Sequence, residues 1–368
     1  MKKLLLLLCF VGSIAADVSG LSYVRNPGKP NILHLSLHTG CIKDFEDVAN
    51  ELRLNLTSWN IGAMTPRTNF DGTTSNNAIW NITAQRAQAV WERHKDFFNQ
   101  FDMILTSDVA PLSRIFLQNN WQKPLVIWIC NRFDYADHGT NRGGFPDKAY
   151  YQLFQEAADK PNVRIIPYTD YEWYHAEQRG LSIGRRTIRP IGSIDDSLRS
   201  GDTSFIPDHV DPTETLFIYP RLNDQQMRFA QSVCADLNIK THTGVYNGPG
   251  ELARYKAVLY FPYAWSNLAL YENLQRGIIH FVPSIAFVKE LLAQRKPIRT
   301  YTHTLFELGE WYKPEYKDVI VYFDSWQDLK AKFETLDYQA MQQKIKAFGA
   351  KHRAYVLKQW QEVFDELL

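Results

Sequence analysis

Ala257-Val258-Leu259-Tyr260-Phe261 runs into Pro262-Tyr263-Ala264-Trp265-Ser266, and Leu270-Tyr271-Glu272-Asn273-Leu274-Gln275-Arg276-Gly277-Ile278 follows. The first five residues are apolar enough for a strand covered on both faces. The next group is a loop leaving that strand, and the third is a helix whose first turns carry Glu272. Gly277 closes the helix, as a glycine past the last turn commonly does. A further apolar run, Ile278–Val282, begins at once. Thr215–Tyr219 running into Pro220-Arg221-Leu222 is an earlier piece of the same kind. Strands and helices alternating in this way build a parallel sheet, which binds ligands where strands end and helices start.

The order of apolar strand, Pro-Tyr-Ala-x-Ser, Leu-x-Leu-x-Glu-x-Leu-x-x-Gly-Ile and second apolar strand resembles the donor half of GT-B glycosyltransferases. The likeness extends more loosely over Asn31 to Gln359. It implies an α/β fold with two Rossmann-like domains facing each other across a cleft and a C-terminal helix returning to the first domain. It also implies that Glu272 contacts a nucleotide-sugar, that Arg221 faces the donor diphosphate and that Asn247-Gly248-Pro249-Gly250-Glu251 lies near the base. Retaining members often carry a second Glu eight residues before the first; Ala264 stands there instead, which favours inversion. The domain expectation is a signal peptide over 1–16, an acceptor domain over 17–195 and a linker over 196–213. A donor domain over 214–340 and a returning helix over 341–368 complete it.

Length and composition agree with that plan without requiring it. A chain of 368 residues is long for one core, so two domains are expected. Its 45% hydrophobic and 22% charged residues are ordinary globular values. A formal net charge of +1 gives no electrostatic reason to expect nucleic acid. The 14% aromatic share suits stacking on sugars and equally suits core filling.

Met1–Ala16 has the form of a secretory signal: Lys2-Lys3, the apolar Leu4–Val11, then the small-residue pattern Ser13-Ile14-Ala15. The apolar run is short of the about 20 residues that a membrane-spanning helix needs. No later stretch qualifies either, so export into the secretory lumen or another extracytoplasmic space, without a transmembrane span, is expected. An uncleaved short anchor is the other reading. Once Cys9 leaves with the signal, Cys41, Cys130 and Cys234 remain. Three thiols cannot all pair within one chain, and no Cys/His spacing suggests zinc. Asn55-Leu56-Thr57 and Asn81-Ile82-Thr83 match the glycosylation acceptor pattern.

In the first half, Ile32–Leu37 is a strand that leads into His38-Thr39-Gly40-Cys41, and a helix spaced on Phe45, Val48, Ala49 and Leu52 follows. Leu54–Ile61 is the next strand. Gly40 lets backbone approach a ligand closely, and the GT-B resemblance implies that this loop lies at the cleft, which makes Thr39 and Gly40 candidates there. His38 is a candidate base, against the commoner role of a histidine as a structural hydrogen bonder. Thr65–Asn77 reads as a surface loop. Met103–Thr106, a helix over Pro111–Gln118 and Leu125–Ile129 form a right-handed βαβ unit. Asn131-Arg132-Phe133-Asp134 leaves its second strand. There Arg132 can grip a carboxylate or phosphate as a fork and Asp134 can take a proton from a hydroxyl; alternatively the two pair and pin a loop. Thr169-Asp170-Tyr171-Glu172 opens a later helix. Capping accounts for its acids, while the GT-B resemblance places Glu172 near the cleft.

In the second half, Ser193–Thr213 lacks periodicity and reads as the interdomain connection. Arg221 either caps the helix Asp224–Leu237 or meets the charge of a leaving nucleoside diphosphate, which a fixed guanidinium stabilises without a metal. Ser266 and Asn267 can cap the following helix, whose free N–H groups also suit a phosphate. Glu272 accepts from ribose or sugar hydroxyls, or else is a surface carboxylate. No Asp-x-Asp occurs anywhere, a pattern that metal-dependent glycosyltransferases of the other common fold usually carry.

The expectation is therefore a glycosyltransferase that needs neither metal nor cofactor and moves a sugar from a nucleotide-sugar to the hydroxyl of a glycan, protein or small molecule. Asp134, Glu172 or His38 supplies the base, Arg221, Ser266, Asn267 and Glu272 hold the donor, and Thr39, Gly40 and Arg132 line the loop. Two rival readings are an exported two-lobe binding protein and a catalytically degenerate GT-B domain that recognises a glycan.

Overall fold

The structure, a computed structural model, describes residues 21–61, 82–134, 147–194, 205–220, 224–265, 267–298, 300 and 305–368. The expected leader, the Thr65–Asn77 loop and the Asn81 acceptor site lie outside them. The chain divides into two compact units, Met1–Arg189 with Leu357–Leu368, and Pro190–Val356.

The first unit runs β1 (Leu21–Val24), β2 (Asn31–Ser36), α1 (Thr39–Glu51), β3 (Asn55–Asn60), α2 (Ala84–Phe98), β4 (Met103–Val109), α3 (Arg114–Leu117), β5 (Leu125–Arg132), α4 (Lys148–Ala158), β6 (Val163–Pro167) and α5 (Asp170–Gln178). Its sheet has the order β1-β3-β2-β4-β5-β6. All neighbours are parallel except β1, which joins β3 antiparallel. β4 is buried at every position, because helices cover both faces of a parallel sheet. On one face Leu33, Leu35, Ile104, Ile127 and Ile129 enter a core with Val90 and Phe98 of α2 and Phe116 of α3. On the other, Trp128 meets Phe45 of α1 and Trp360 at ring distances of 6.3 and 5.6 Å. The last helical turns thus complete this unit's core. Where a helix is expected over 111–118, a tight 3-10 turn, Ala110–Ser113, with Pro111 in its first turn leads into the short α3.

The second unit runs β7 (Leu216–Ile218), α6 (Asp224–Asp236), β8 (Thr241–His242), α7 (Gly248–Leu252), β9 (Ala257–Leu259), α8 (Leu268–Arg276), β10 (His280–Pro283), α9 (Ile285–Ala293), β11 (Val321–Phe323), α10 (Trp326–Thr335) and α11 (Tyr338–Leu367). Its sheet is parallel throughout, in the order β11-β10-β9-β7-β8. α11 starts in this unit, and its residues from Leu357 belong to the first.

With β1 set aside, both sheets have one plan. The second strand lies outside the first, and the third, fourth and fifth follow on the other side. Strand order reverses between β2 and β4 in one unit and between β7 and β9 in the other. At such a reversal the loops beyond the strands turn opposite ways and leave room for a ligand at the C-terminal edge. His38 and Asp108 follow or end the strands at the first reversal; Tyr219 and Tyr260 follow those at the second.

Candidate functional site

At the first reversal, His38 has extended backbone (φ −119°, ψ 120°) and caps α1: its Nδ1 accepts the Gly40 N–H at 3.1 Å. A neutral imidazole that accepts through Nδ1 carries its proton on Nε2. His38, the expected base, thus also caps α1, and its neutral ring keeps the proton on Nε2. Thr39 Oγ1 accepts from Asn60 Nδ2 at 2.8 Å, which steadies the turn that also contains Gly40. Asp108, at the end of β4, has a left-handed φ of 75° and is buried, a backbone state uncommon outside glycine. The register between β4 and β5 shifts at this point.

Asp134 is buried beyond β5, and three side chains from two elements converge on its Oδ2. The Tyr151 hydroxyl of α4 donates to it at 2.5 Å. Arg179 Nε, just past α5, lies at 3.3 Å, and His175 Nε2 of α5 at 3.9 Å. Oδ1 has no hydrogen-bond partner among the described residues. Burial and then the bond to Asp134 push the Tyr151 hydroxyl well above its usual range. Burial lowers the His175 imidazole, with the Asp134 charge opposing and the Arg179 charge adding to that direction. The partner that neutralises Asp134 is Arg179; the Arg132 side chain lies outside the described residues. Glu172 is buried in the first turn of α5. The phenol of its neighbour Tyr171 is raised by burial first, then by the Glu172 and Asp134 charges, so both carboxylates lie close to this ring.

At the second reversal the strand exits are aromatic. Tyr219 and Tyr260 stand with ring centroids 4.9 Å apart, and the Tyr246 hydroxyl donates to that of Tyr219 at 2.7 Å. Trp311 stacks on Tyr260 at 4.1 Å. Asn267 caps α8, its Oδ1 accepting the Ala269 N–H at 2.9 Å while its amide donates to the Tyr260 hydroxyl. Glu272 lies one turn in and is only 9% exposed; it is no free surface carboxylate. Arg221 and Ser266 lie outside the described residues.

α8 is firmly seated within its unit. Tyr271 donates to the buried Glu310 at 2.6 Å and stacks on His352, while Gln275 Nε2 donates to the carbonyls of Ile191 and Gly349. Gly277 ends the helix at φ 73°, and a Cβ there would stand 2.8 Å from Lys346 Cγ. Gly192, at φ 80°, brings its backbone against Tyr271, where a Cβ would fall 2.5 Å from the carbonyl oxygen. Nothing in the spacing of the sequence signals Tyr151, Arg179, Tyr246 or Glu310, since each reaches its partner from a different element.

No helix among the described residues is long and apolar enough to cross a membrane. No family model and no curated protein matches the sequence. Solved structures do resemble it. A UGT of Medicago truncatula complexed with UDP-glucose superposes with a TM-score of 0.51 at 11% identity, over 92% of this chain and 99% of that one. A UGT transferase from Siraitia grosvenorii in complex with UDP does so with a TM-score of 0.50 at 11% identity, again over 92% and 99%. Two parallel Rossmann-like sheets of one plan, a last helix shared between the units and this likeness along nearly the whole length identify the fold as that of the GT-B glycosyltransferases.

Proposed function

We propose that this chain is a glycosyltransferase that moves a sugar from a nucleotide-sugar to a hydroxyl acceptor, without a metal and with inversion. One observation carries the reading: Glu272 is held, nearly buried, one turn inside a helix that Asn267 caps at the strand-order reversal of the second sheet. A carboxylate there accepts two hydroxyls of a ribose or sugar, while the N–H groups that open the helix favour phosphate oxygens. Arg221 and Ser266 complete the donor set from the sequence. Arg221 supplies the positive charge that lets the nucleoside diphosphate leave.

Asp134 is the base of choice in the first unit. Tyr151 and Arg179 hold Oδ2, so Oδ1 takes the acceptor's proton as its oxygen attacks the anomeric carbon and the diphosphate departs from the opposite face. His38 orients the acceptor through Nε2–H, and Glu172 shapes the pocket beside Tyr171. Ala264 in place of a second Glu supports inversion, and the absence of Asp-x-Asp supports metal independence. The leader supports export. The chain passes between its units at 189/190 and 356/357; a two-lobe binding protein has several crossings instead.

The test is thermal unfolding of the whole chain with a panel of nucleoside diphosphates, uridine first because both similar structures hold uridine nucleotides. A ligand at 100 times its Kd adds about 2.7 kcal/mol to stability, which raises the unfolding temperature by roughly 5–10 °C. The expected result is a rise with one nucleotide that Glu272→Ala and Arg221→Ala each abolish. A rise with free sugars or peptides and with no nucleotide overturns the transferase reading in favour of the binding protein.

A further inference from the structure

We propose that Cys41 and Cys130 form a disulfide in the finished protein, fastening the start of α1 to the end of β5. The geometry comes from the ladder that packs α1 on the sheet. Phe45 of α1 stands over Trp128 of β5, ring centroids 6.3 Å apart. Cys41 lies one turn before Phe45 on the same stripe, about 6 Å nearer the helix start. Cys130 follows Trp128 by two residues, about 6.6 Å nearer the strand end. A helix that connects parallel strands runs opposite to them, so both steps point the same way and carry Cys41 to Cys130. There each thiol bears on the ionisation of the other, and Cys130 Sγ donates to the Trp128 carbonyl at 3.6 Å. Both are buried, and neither touches solvent enough to serve as an exposed reactive thiol. Cys234 is buried on α6 in the other unit. Of the three cysteines beyond the leader it is the one left over.

The bond forms by exchange with an oxidant that itself carries a disulfide, such as oxidised glutathione. One cysteine thiolate attacks the oxidant and releases its first thiol; the second displaces the resulting mixed disulfide and releases the other. The two cysteines give up two protons and two electrons, and the oxidant's disulfide is reduced to two thiols. The Cys130 thiol and then burial raise the Cys41 thiol, and burial raises that of Cys130, so thiolates are scarce once the fold closes. Exchange therefore belongs to the folding chain, and the closed fold shields the product from reductants. Thr39 and Gly40 precede Cys41, and Arg132 and Asp134 follow Cys130. The bridge thus ties together the two candidate loops of the first sheet edge.

The test refolds the full chain in a glutathione redox buffer, unfolds it without reductant, alkylates it and maps the peptides. The expected result is label on Cys9 and Cys234, a linked peptide pair containing Cys41 and Cys130, and label on those two only after reduction. Label on Cys41 and Cys130 without reduction, or a linked pair containing Cys234, overturns the proposal. A second readout does not depend on peptide recovery. Refolding in excess dithiothreitol should lower the unfolding temperature by roughly 5–10 °C relative to the oxidised protein, and the Cys41→Ser/Cys130→Ser double variant should show no such difference. Equal unfolding temperatures for the two wild-type preparations would likewise sink it.

Discussion

The two sheets share a strand order and differ in what they place at the reversal. In the first unit the strands run to eight residues, and the edge beyond them is ionic: Asp134 is clamped by Tyr151 and Arg179, with Glu172 close by. In the second the strands are two to four residues long. Their exits are rings, Tyr219, Tyr246, Tyr260 and Trp311, around a helix that brings one nearly buried carboxylate, Glu272. Long, fully paired strands resist splaying, so they can carry a buried charge that must be compensated from two other elements. Short strands leave the edge to side-chain packing, and stacked rings supply the area that the ladder lacks. One edge holds a charge in place, which the proposed proton transfer would use. The other is a rigid seat of rings, which the proposed nucleotide would use.

The sharpest way to break this contrast is Asp134→Asn. The amide keeps an oxygen for Tyr151 and Arg179 but takes up no proton. If the ionic edge exists for proton transfer, turnover should fall about 10²- to 10⁴-fold. Stability should fall by only about 1–2 kcal/mol, because Arg179 is partly exposed and water screens its unpaired charge. Steady-state kinetics and chemical denaturation of the same variant separate the two effects. Undiminished turnover with lost stability would make Asp134 a structural anchor, and the two edges would then differ in packing alone.

A second comparison uses a buried histidine in each unit. His34 of β2 bonds Ser107 Oγ at 2.8 Å, and His280 of β10 contacts Asn273 Nδ2 at 3.0 Å. Burial lowers each to about 3. The unfolded chain protonates these rings below about pH 6.5, and the folded chain does so only near pH 3, so the unfolded state binds more protons in between. Stability therefore falls as pH falls from 6.5 towards 3, by about 1.4 kcal/mol per unit for each ring, or roughly 2–3 kcal/mol per ring at pH 4.5. Hydrogen exchange of β4 and β9 amides follows the units separately. His34→Gln should flatten the slope in the first unit only, and His280→Gln in the second only. A slope that survives either substitution assigns the acid sensitivity to other groups.

What could be read from residues alone follows the same division. β4 and β5 were legible because wholly apolar runs of that length have few other uses. β8 has only two residues in its ladder, too few to leave a readable apolar run. β1 is not legible; four residues that pair antiparallel with Leu56–Trp59 of β3 leave no periodic trace. Asn267 is legible because helix starts have local rules, whereas Glu272 stands out only through the GT-B resemblance of the pattern around it. The Asp134 cluster was legible only in its aspartate: Tyr151 is 17 residues away, and Arg179 arrives from beyond another strand and helix. His38 as a helix cap is not legible, because histidine is not a usual cap and its position after a strand points to chemistry first.

That last point yields the smallest and most discriminating test, a pair of caps compared across the units. His38 caps α1 through a ring nitrogen, and Asn267 caps α8 through an amide oxygen. Asn267→Ala should cost about 1 kcal/mol, as loss of an N-cap typically does. If that helix start binds the phosphate as proposed, nucleotide binding should weaken too, because the first turn then frays. His38→Asn keeps a good cap and should leave stability within about 0.5 kcal/mol, yet it removes the Nε2–H. If that proton orients the acceptor, turnover falls while stability and nucleotide binding hold. If turnover also holds, His38 serves the helix alone, and the first edge owes its chemistry entirely to the ion pair beyond β5.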